Sequence, residues 1–374
     1  MSRMRVAWLN QWDASNPKAG GAERTVGEVG KRLATQDVEL TVFSEIVPGT
    51  PPTSEIDGYR VVRPGGPVGV HLWTLSHFSK RRDKVEFDVL VHDLAKIMPW
   101  TLPLTSRPVP GILFVHHVFG RELVRELFPP LGAFAAFVER FGPRFYRGVF
   151  GVTETEYTKS MMVKAGLPPD RIWVIPPGID LGLFSPNSMV RSVTPVVAYA
   201  GRLKKYKRVD LAVAAVKMLK GEFPELKLEI VGVGSDMPRL RQVVRDMGMQ
   251  DSVSFVGHIS DQALRELYQR SWANVQPSSV EGWGFTTLEA AACGTPTVAF
   301  RNSVFPETVG PYCQKYLADD GDVLDLSHKM AICLRDQESR PREVSAHQVD
   351  FAREFDWDST AKNWKTMLSR VAES

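Results

Sequence analysis

Short runs of buried-type residues alternate along the chain with longer amphipathic stretches. In the first half, Arg5 to Leu9, Val38 to Phe43, Val89 to His92, Gly111 to His116 and Val149 to Thr153 have the β-branched, near-continuous apolar character of strands buried on both faces. Helical patterns separate most of them. Such alternation predicts a parallel sheet with crossover helices, an α/β doubly wound domain rather than a sandwich or a bundle.

The pattern stops at Ile175-Pro-Pro-Gly-Ile-Asp-Leu-Gly-Leu-Phe-Ser-Pro186 and the polar residues up to Pro195, which follow neither period. It restarts with Val196 to Ala200, Leu226 to Val231, Val253 to Val256, Ala273 to Gln276 and Thr297 to Ala299, again with helical stretches between. A second Rossmann-like domain is expected. At the end, Trp357, Ala361, Trp364, Met367 or Leu368 and Val371 recur at helical intervals, with Asp358 or Ser359 as the cap, predicting a closing amphipathic helix. The expected division is 1–178, 179–355 with a linker at about 178–195, and a tail at 356–374.

Composition agrees with two soluble domains. The 374 residues are too many for one ordinary core, and 43% hydrophobic with 24% charged residues excludes disordered and collagenous classes. Cys293, Cys313 and Cys333 are too widely spaced for a disulfide framework or a zinc site. No apolar run reaches the ~20 residues of a bilayer span, and the start reads as a strand rather than a signal peptide, so a cytoplasmic location is expected. A net charge of +3 without a long basic tract argues against nucleic acid.

Open α/β sheets bind ligands beyond the carboxyl ends of their strands, where helix N-termini offer free N–H groups to anions. Four strand-to-helix junctions carry unusual residues. Gly20-Gly21 precedes the first helical stretch; by itself a glycine pair is usually a turn. Gly201-Arg202-Leu-Lys204-Lys205-Tyr-Lys207-Arg208 concentrates five cations at a strand end, suited to a diphosphate by the Arg fork and the Lys point charge. Elsewhere such a cluster is commonly a solvated turn. Gly232-Val-Gly234 ends a third strand and reads equally as packing glycines or as close backbone approach to a nucleotide.

The fourth junction, Glu281-Gly282-Trp283-Gly284-Phe285-Thr286-Thr287-Leu-Glu289, places one carboxylate in a loop and a second inside the helix Phe285 to Ala292. Both carboxylates can address one ligand, with the helix N-terminus between them. A nucleotide-diphosphate sugar has the required layout: two hydroxyl-bearing rings either side of an anionic bridge.

Glu281 with Glu289 (Glu-x7-Glu), Gly201-Arg202 with Lys207, and Gly20-Gly21 together resemble the signature set of family-4 retaining glycosyltransferases. Pro176-Pro-Gly-Ile-Asp180-x3-Phe184, Phe255-Val-Gly257-His258 and the Trp357 helix extend the resemblance over essentially the whole chain. It implies a GT-B fold, two Rossmann-like domains facing each other across a cleft, with the closing helix returning to the first. It also implies that Arg202 and Lys207 bind the donor diphosphate, that Glu281 contacts the transferred sugar and that Glu289 holds the ribose. Backbone of Gly284 to Thr287 would assist, Gly20 and Gly21 would close over the donor, Gly257 and His258 would border the base, and Gly201, Gly232, Gly282, Trp283 and Phe285 would complete the donor site. His116 would line the site near sugar or acceptor, ahead of its neighbour His117; for any such histidine a buried structural role is the usual alternative. The chain departs from the family pattern at Thr286 and Thr287, where many members have proline after the glycine–aromatic or glycine–leucine step.

The implied reaction is transfer of a hexosyl unit, mannose from GDP or glucose or N-acetylglucosamine from UDP, with retention of configuration to a hydroxyl acceptor on a glycan or lipid. Cations and the helix N-terminus would stabilise the leaving diphosphate without a metal; Asp319-Asp-Gly-Asp322 reads as a solvated turn. A nucleotide-sugar epimerase or sugar phosphorylase with the same fold, or a noncatalytic nucleotide-sugar-binding subunit, are the alternatives, separated by product and turnover. His71 to Arg82 and Arg121 to Arg147 mix basic with apolar residues in a way that suits an anionic membrane surface. Ordinary helices covering the sheet account for the same pattern and are the simpler reading.

Overall fold

The computed structural model describes residues 3–17, 19–80, 86–94, 110–118, 130, 132–134, 136–137, 146, 148–187 and 191–374. The chain divides into two compact units, Met1–Gly178 with Trp357–Ser374, and Ile179–Asp356.

The first unit holds an eight-stranded sheet. Its strands are β1 (Met4–Leu9), β2 (Val38–Glu45), β3 (Thr53–Ile56), β4 (Tyr59–Gly65), β5 (Val89–Asp93), β6 (Gly111–Val115), β7 (Phe150–Thr153) and β8 (Ile172–Val174), in the order β3-β4-β2-β1-β5-β6-β7-β8. All neighbours are parallel except the β3–β4 hairpin. The five strands expected from apolar runs are present within two residues at either end. The hairpin and β8 escaped the sequence pattern because their residues are partly exposed or few. A parallel sheet needs both faces covered. Trp364 of the closing helix, fully buried, meets Trp8 at 4.6 Å and Phe114 at 5.0 Å between ring centroids. Arg32 Nε donates to Asp358 Oδ1 at 2.6 Å at the start of that helix.

The helix Gly69–Lys80 turns Trp73 and Phe78 onto Phe43, with ring centroids 5.6 and 5.8 Å apart, while Val68 before it and Leu72 on it are exposed. Arg81, Arg82 and the basic residues of the 121–147 stretch lie outside the described residues. No helix among the described residues is long and apolar enough to cross a membrane.

The second unit holds a six-stranded parallel sheet of β9 (Val196–Ala200), β10 (Lys227–Val231), β11 (Val253–Gly257), β12 (Ala273–Gln276), β13 (Thr297–Phe300) and β14 (Leu317–Ala318), ordered β11-β10-β9-β12-β13-β14. One apolar cluster runs from Val197 through Leu228 to Leu334. A second gathers Ala198, Leu288 and Trp283 with Ile179 and Phe184.

That second cluster anchors the start of the segment read as the linker, 178–195. Ile179 is 2% and Phe184 1% exposed. Asp180 Oδ1 accepts the N–H groups of Gly182 and Leu183 at 3.0 and 2.9 Å, and Ile179 N–H donates to Phe355 O at 3.0 Å. Residues 179–187 follow neither period because the segment is an Asx-type turn that inserts two side chains into a core. All three cysteines are buried and free.

Candidate functional site

The order of the second sheet decides where its chemistry gathers. From β9 the sheet grows one way through β10 and β11, and from β12 the other way through β13 and β14. The β9 and β12 ends therefore flank the topological switch point, the ligand position of open α/β sheets. Two of the sequence-predicted junctions leave these two strands.

The loops are sutured to each other. Gln276 Nε2 donates to Ala200 O at 3.1 Å, and Ser279 N–H to Tyr206 O at 2.8 Å. Arg208, in a left-handed conformation (φ 49°), donates to the carbonyls of Pro277 and Ser278 at 2.9 and 3.0 Å and pairs with Asp320 at 2.6 Å. Arg208 is thus a strut between the loops. Asp320 is more than a solvated turn residue, since it also accepts from Asn302; Asp322 caps the Val323–Ser339 helix.

This suture brings Lys207 Nζ into a direct ion pair with Glu281 Oε1, both side chains largely buried. Ser278 Oγ donates to the same oxygen at 2.7 Å. Ser303 bridges the Glu281 backbone, accepting its N–H at 3.0 Å and donating to its carbonyl at 3.1 Å. Glu281 Oε2 lies outside these bonds. Arg202 is exposed at the mouth of the same loop and makes no ion pair among the described residues. A point charge is fixed beside a carboxylate, and an Arg fork stands free for an anion.

Gly284 (φ 81°) starts the Phe285–Ala292 helix from a left-handed turn, which leaves the first-turn N–H groups facing the loop. Thr287 N–H turns back to Gly284 O at 2.8 Å. Its hydroxyl donates to Gly284 O at 2.7 Å and lies 3.2 Å from Thr308 O, so Thr287 points into the unit and only Thr286 of the pair is partly exposed. Trp283 is 5% exposed and meets Phe355 edge-on at 5.2 Å, with Phe285 packed on the same cluster. The Trp283 side chain is core, which leaves its backbone to offer a ligand, while Phe285 is partly buried against the same cluster. Glu289 is buried in the second turn of the helix. Burial raises the Tyr268 hydroxyl well above its ordinary value, and the Glu289 charge beside it adds to the shift.

Gly201 and Gly232 are where backbone touches backbone. A Cβ on Gly232 would lie 2.0 Å from Gly201 O, and one on Gly234 2.1 Å from Leu203 O. Of the two readings of Gly232-Val-Gly234, packing accounts for both glycines: they let the β10 loop press against the β9 loop. Gly257, Gly282 and His258 are at least partly exposed at neighbouring loop positions.

In the first unit, Gly20 caps the Gly21–Leu33 helix in extended conformation and donates its N–H to Glu23 Oε2 at 2.6 Å. His116 is 8% exposed and engaged at both ring nitrogens: Nδ1 lies 2.8 Å from Glu154 Oε1 and Nε2 2.9 Å from Asp93 Oδ2. Burial opposes its charge, but the two carboxylates hold the ring well above the ordinary histidine value. His117 beside it is partly exposed. The sequence reading missed Asp93, Glu154, Ser278 and Ser303. Asp93 and Glu154 sit at strand ends, which is the one signal that was legible.

Two parallel-sheet Rossmann-like units, with cations, a carboxylate and a helix N-terminus gathered at the switch point of one, define a GT-B nucleotide-sugar transferase. The family models agree: residues 19–183 match Glycosyltransferase Family 4 and residues 187–347 match Glycosyl transferases group 1. The chain belongs to the family-4 GT-B glycosyltransferases and is a glycosyltransferase acting on nucleotide sugars. It is 26% identical to a D-inositol 3-phosphate glycosyltransferase of Acidothermus cellulolyticus, over 92% of this chain and 84% of that protein. A GDP-mannose-dependent alpha-(1-6)-phosphatidylinositol monomannoside mannosyltransferase of Mycolicibacterium smegmatis is 29% identical over 59% of this chain and 60% of its own. In fold it is similar to sucrose-phosphate synthase from Thermosynechococcus elongatus (TM-score 0.82, 20% identity, all of both chains). It is also similar to Anabaena Alr3699/HepE in complex with UDP-glucose (TM-score 0.76, 17% identity, 98% and 100% of the chains).

Proposed function

We propose that the protein transfers a hexosyl unit, with retention of configuration, from a GDP- or UDP-linked sugar to a hydroxyl of a glycan or lipid-linked acceptor, and that GDP-mannose is the first donor to try. The observation that carries this reading is the Lys207–Glu281 pair at the β9/β12 switch point, with Arg202 and the Phe285–Ala292 N-terminus beside it. Arg202 and Lys207 supply charge where the diphosphate leaves, and the helix N-terminus adds backbone N–H groups. Glu281 is tied by Lys207 and Ser278 at one oxygen and keeps the other for sugar hydroxyls. A carboxylate so held is an acceptor of hydrogen bonds, not a free nucleophile, which supports attack by the acceptor on the face the diphosphate leaves. Glu289, one turn and more along the helix, is suited to the ribose hydroxyls.

In this reading the positive charge comes from the protein, so transfer proceeds with chelator present; loss of activity in EDTA would overturn that part. The choice of GDP-mannose is supported by the mannosyltransferase relative, and an inositol-type acceptor by the inositol phosphate relatives. The test is a screen of GDP- and UDP-sugars for thermal stabilisation and nucleotide release, followed by product analysis. Transfer with an unchanged anomeric configuration is expected. An isomerised sugar or a sugar phosphate as the product would replace the reading with an epimerase or a phosphorylase, and binding without turnover would replace it with a noncatalytic subunit.

A further inference from the structure

In the first unit β5, β6 and β7 lie side by side, and each ends on an ionisable side chain: Asp93 closes β5, His116 follows β6 and Glu154 follows β7. Parallel register carries all three to one rim. There the two His116 contacts, 2.9 Å to Asp93 and 2.8 Å to Glu154, form a buried chain, and Thr25 Oγ1 donates to Glu154 Oε1 at 3.4 Å. The three side chains are between 2% and 8% exposed. Glu23, in the first turn of the helix after β1, is the third carboxyl facing this ring. Burial raises Glu23 above its ordinary value, two backbone N–H groups oppose the rise, and the Asp93 charge adds to it.

The position carries a second, independent pointer. β1 and β5 are neighbours from which the sheet runs in opposite directions, so the N-terminus of the Gly21–Leu33 helix and Asp93 flank the switch point of this sheet as well.

A histidine facing a carboxylate through each nitrogen donates at both. It has no lone pair to take a proton and no N–H left for a ligand. Asp93 and Glu154 each spend one oxygen on it, and Asp93 Oδ1 and Glu154 Oε2 stand outside those bonds. We propose that Asp93 is the residue of this unit that accepts a substrate hydroxyl, and that His116, strapped between Asp93 and Glu154, is a positioning residue that neither transfers a proton nor touches substrate. The class of ligand, a sugar or polyol hydroxyl, rests on the transferase reading above. The state of His116 does not.

The test has two arms. In the full chain without substrate, nitrogen-edited NMR of the His116 ring shows both nitrogens protonated and no titration between about pH 6 and 8.5, whereas Glu154→Gln releases the ring to titrate within that range. In nucleotide release from the donor that the wild type turns over, Asp93→Asn lowers kcat/KM at least tenfold. The pH profile of kcat, flat in the wild type, gains a limb in Glu154→Gln and is flat again in Glu154→Asp, which keeps the charge. A wild-type His116 ring that titrates near its ordinary value, or a Glu154→Gln profile that superimposes on wild type, overturns the strap whatever the donor result. Asp93→Asn at the wild-type rate overturns the hydroxyl role. A chain that releases no nucleotide from any donor fails the transferase reading and Asp93's assigned ligand with it, while the NMR arm still decides His116.

Discussion

Replacing Gly232 with alanine tests whether the loop after β9 is held by backbone contact. The added Cβ would sit 2.0 Å from Gly201 O, so the carbonyl must withdraw by roughly 1.4 Å to regain ordinary contact. It is joined to Arg202, which has no ion pair among the described residues to hold it in place. Overpacking of this kind costs about 1–3 kcal/mol, and the left-handed φ of 123° adds about 1 kcal/mol more. Together they amount to about 2–4 kcal/mol, or roughly 5–15 °C in Tm for a unit of this size. If Arg202 holds the diphosphate as proposed, displacing it by about 1 Å lowers turnover on the order of 100-fold. The control is Gly248→Ala, at φ 65° with nothing within 4 Å of the new Cβ, which carries the conformational cost alone. The assays are urea unfolding followed by tryptophan fluorescence, and nucleotide release. If Gly232→Ala unfolds at the same midpoint as Gly248→Ala and keeps wild-type turnover, the contact does not hold the loop and the reasoning fails.

Other consequences follow from the same geometry. Lys207→Ala and Glu281→Ala should each lower nucleotide release by about 10²–10³, measured as kcat/KM on the donor found by screening; wild-type rates in either would remove that residue from the site. Arg63→Met strands the Asp13 carboxylate, whose partner guanidinium now donates at 2.7 and 3.1 Å with both side chains 1% exposed, and a loss of about 3–5 kcal/mol in urea unfolding is expected. His92 is fully buried with neither ring nitrogen bonded, and burial, helped by the nearby His71, holds it down to about 3. Because the folded value lies below the unfolded one, its contribution is present above about pH 6.5 and is lost as pH falls toward 3. Relative to wild type, His92→Leu should therefore be about 2 kcal/mol more stable at pH 5 than at pH 7.5, read from denaturant midpoints; an equal difference at both pH values would refute it. His116 has the opposite sign: its raised value stabilises below about pH 6.5, and that contribution fades as pH rises through the folded value.

The fold was legible where burial is two-sided. β9 and β12 match their apolar runs residue for residue, because a central parallel strand has apolar neighbours on both faces. The β3–β4 hairpin was not, since exposed edge strands such as Thr53–Ile56 have no such run. In the site, Glu281, Lys207 and Arg202 stood out through spacing at strand ends. Trp283, Phe285 and Thr287 share that motif and read identically in sequence, yet the Trp283 and Thr287 side chains turn into the core and Phe285 is partly buried against it.

By itself the sequence determined two alternating α/β patterns, the junctions where chemistry concentrates and the family to which the chain belongs. These are local properties: periodicity, a glycine beside a charge, two carboxylates with seven residues between them. Tertiary structure alone decided which charges meet. Sheet order set β9 beside β12 and so paired Lys207 with Glu281, 74 residues away, and made Arg208 a strut rather than a ligand. It likewise set β5, β6 and β7 side by side and closed Asp93 and Glu154 on His116 across 23 and 38 residues. The physical reason is that a pairwise interaction depends on distance in space, and strand order, which fixes that distance, is written in no single segment of the chain.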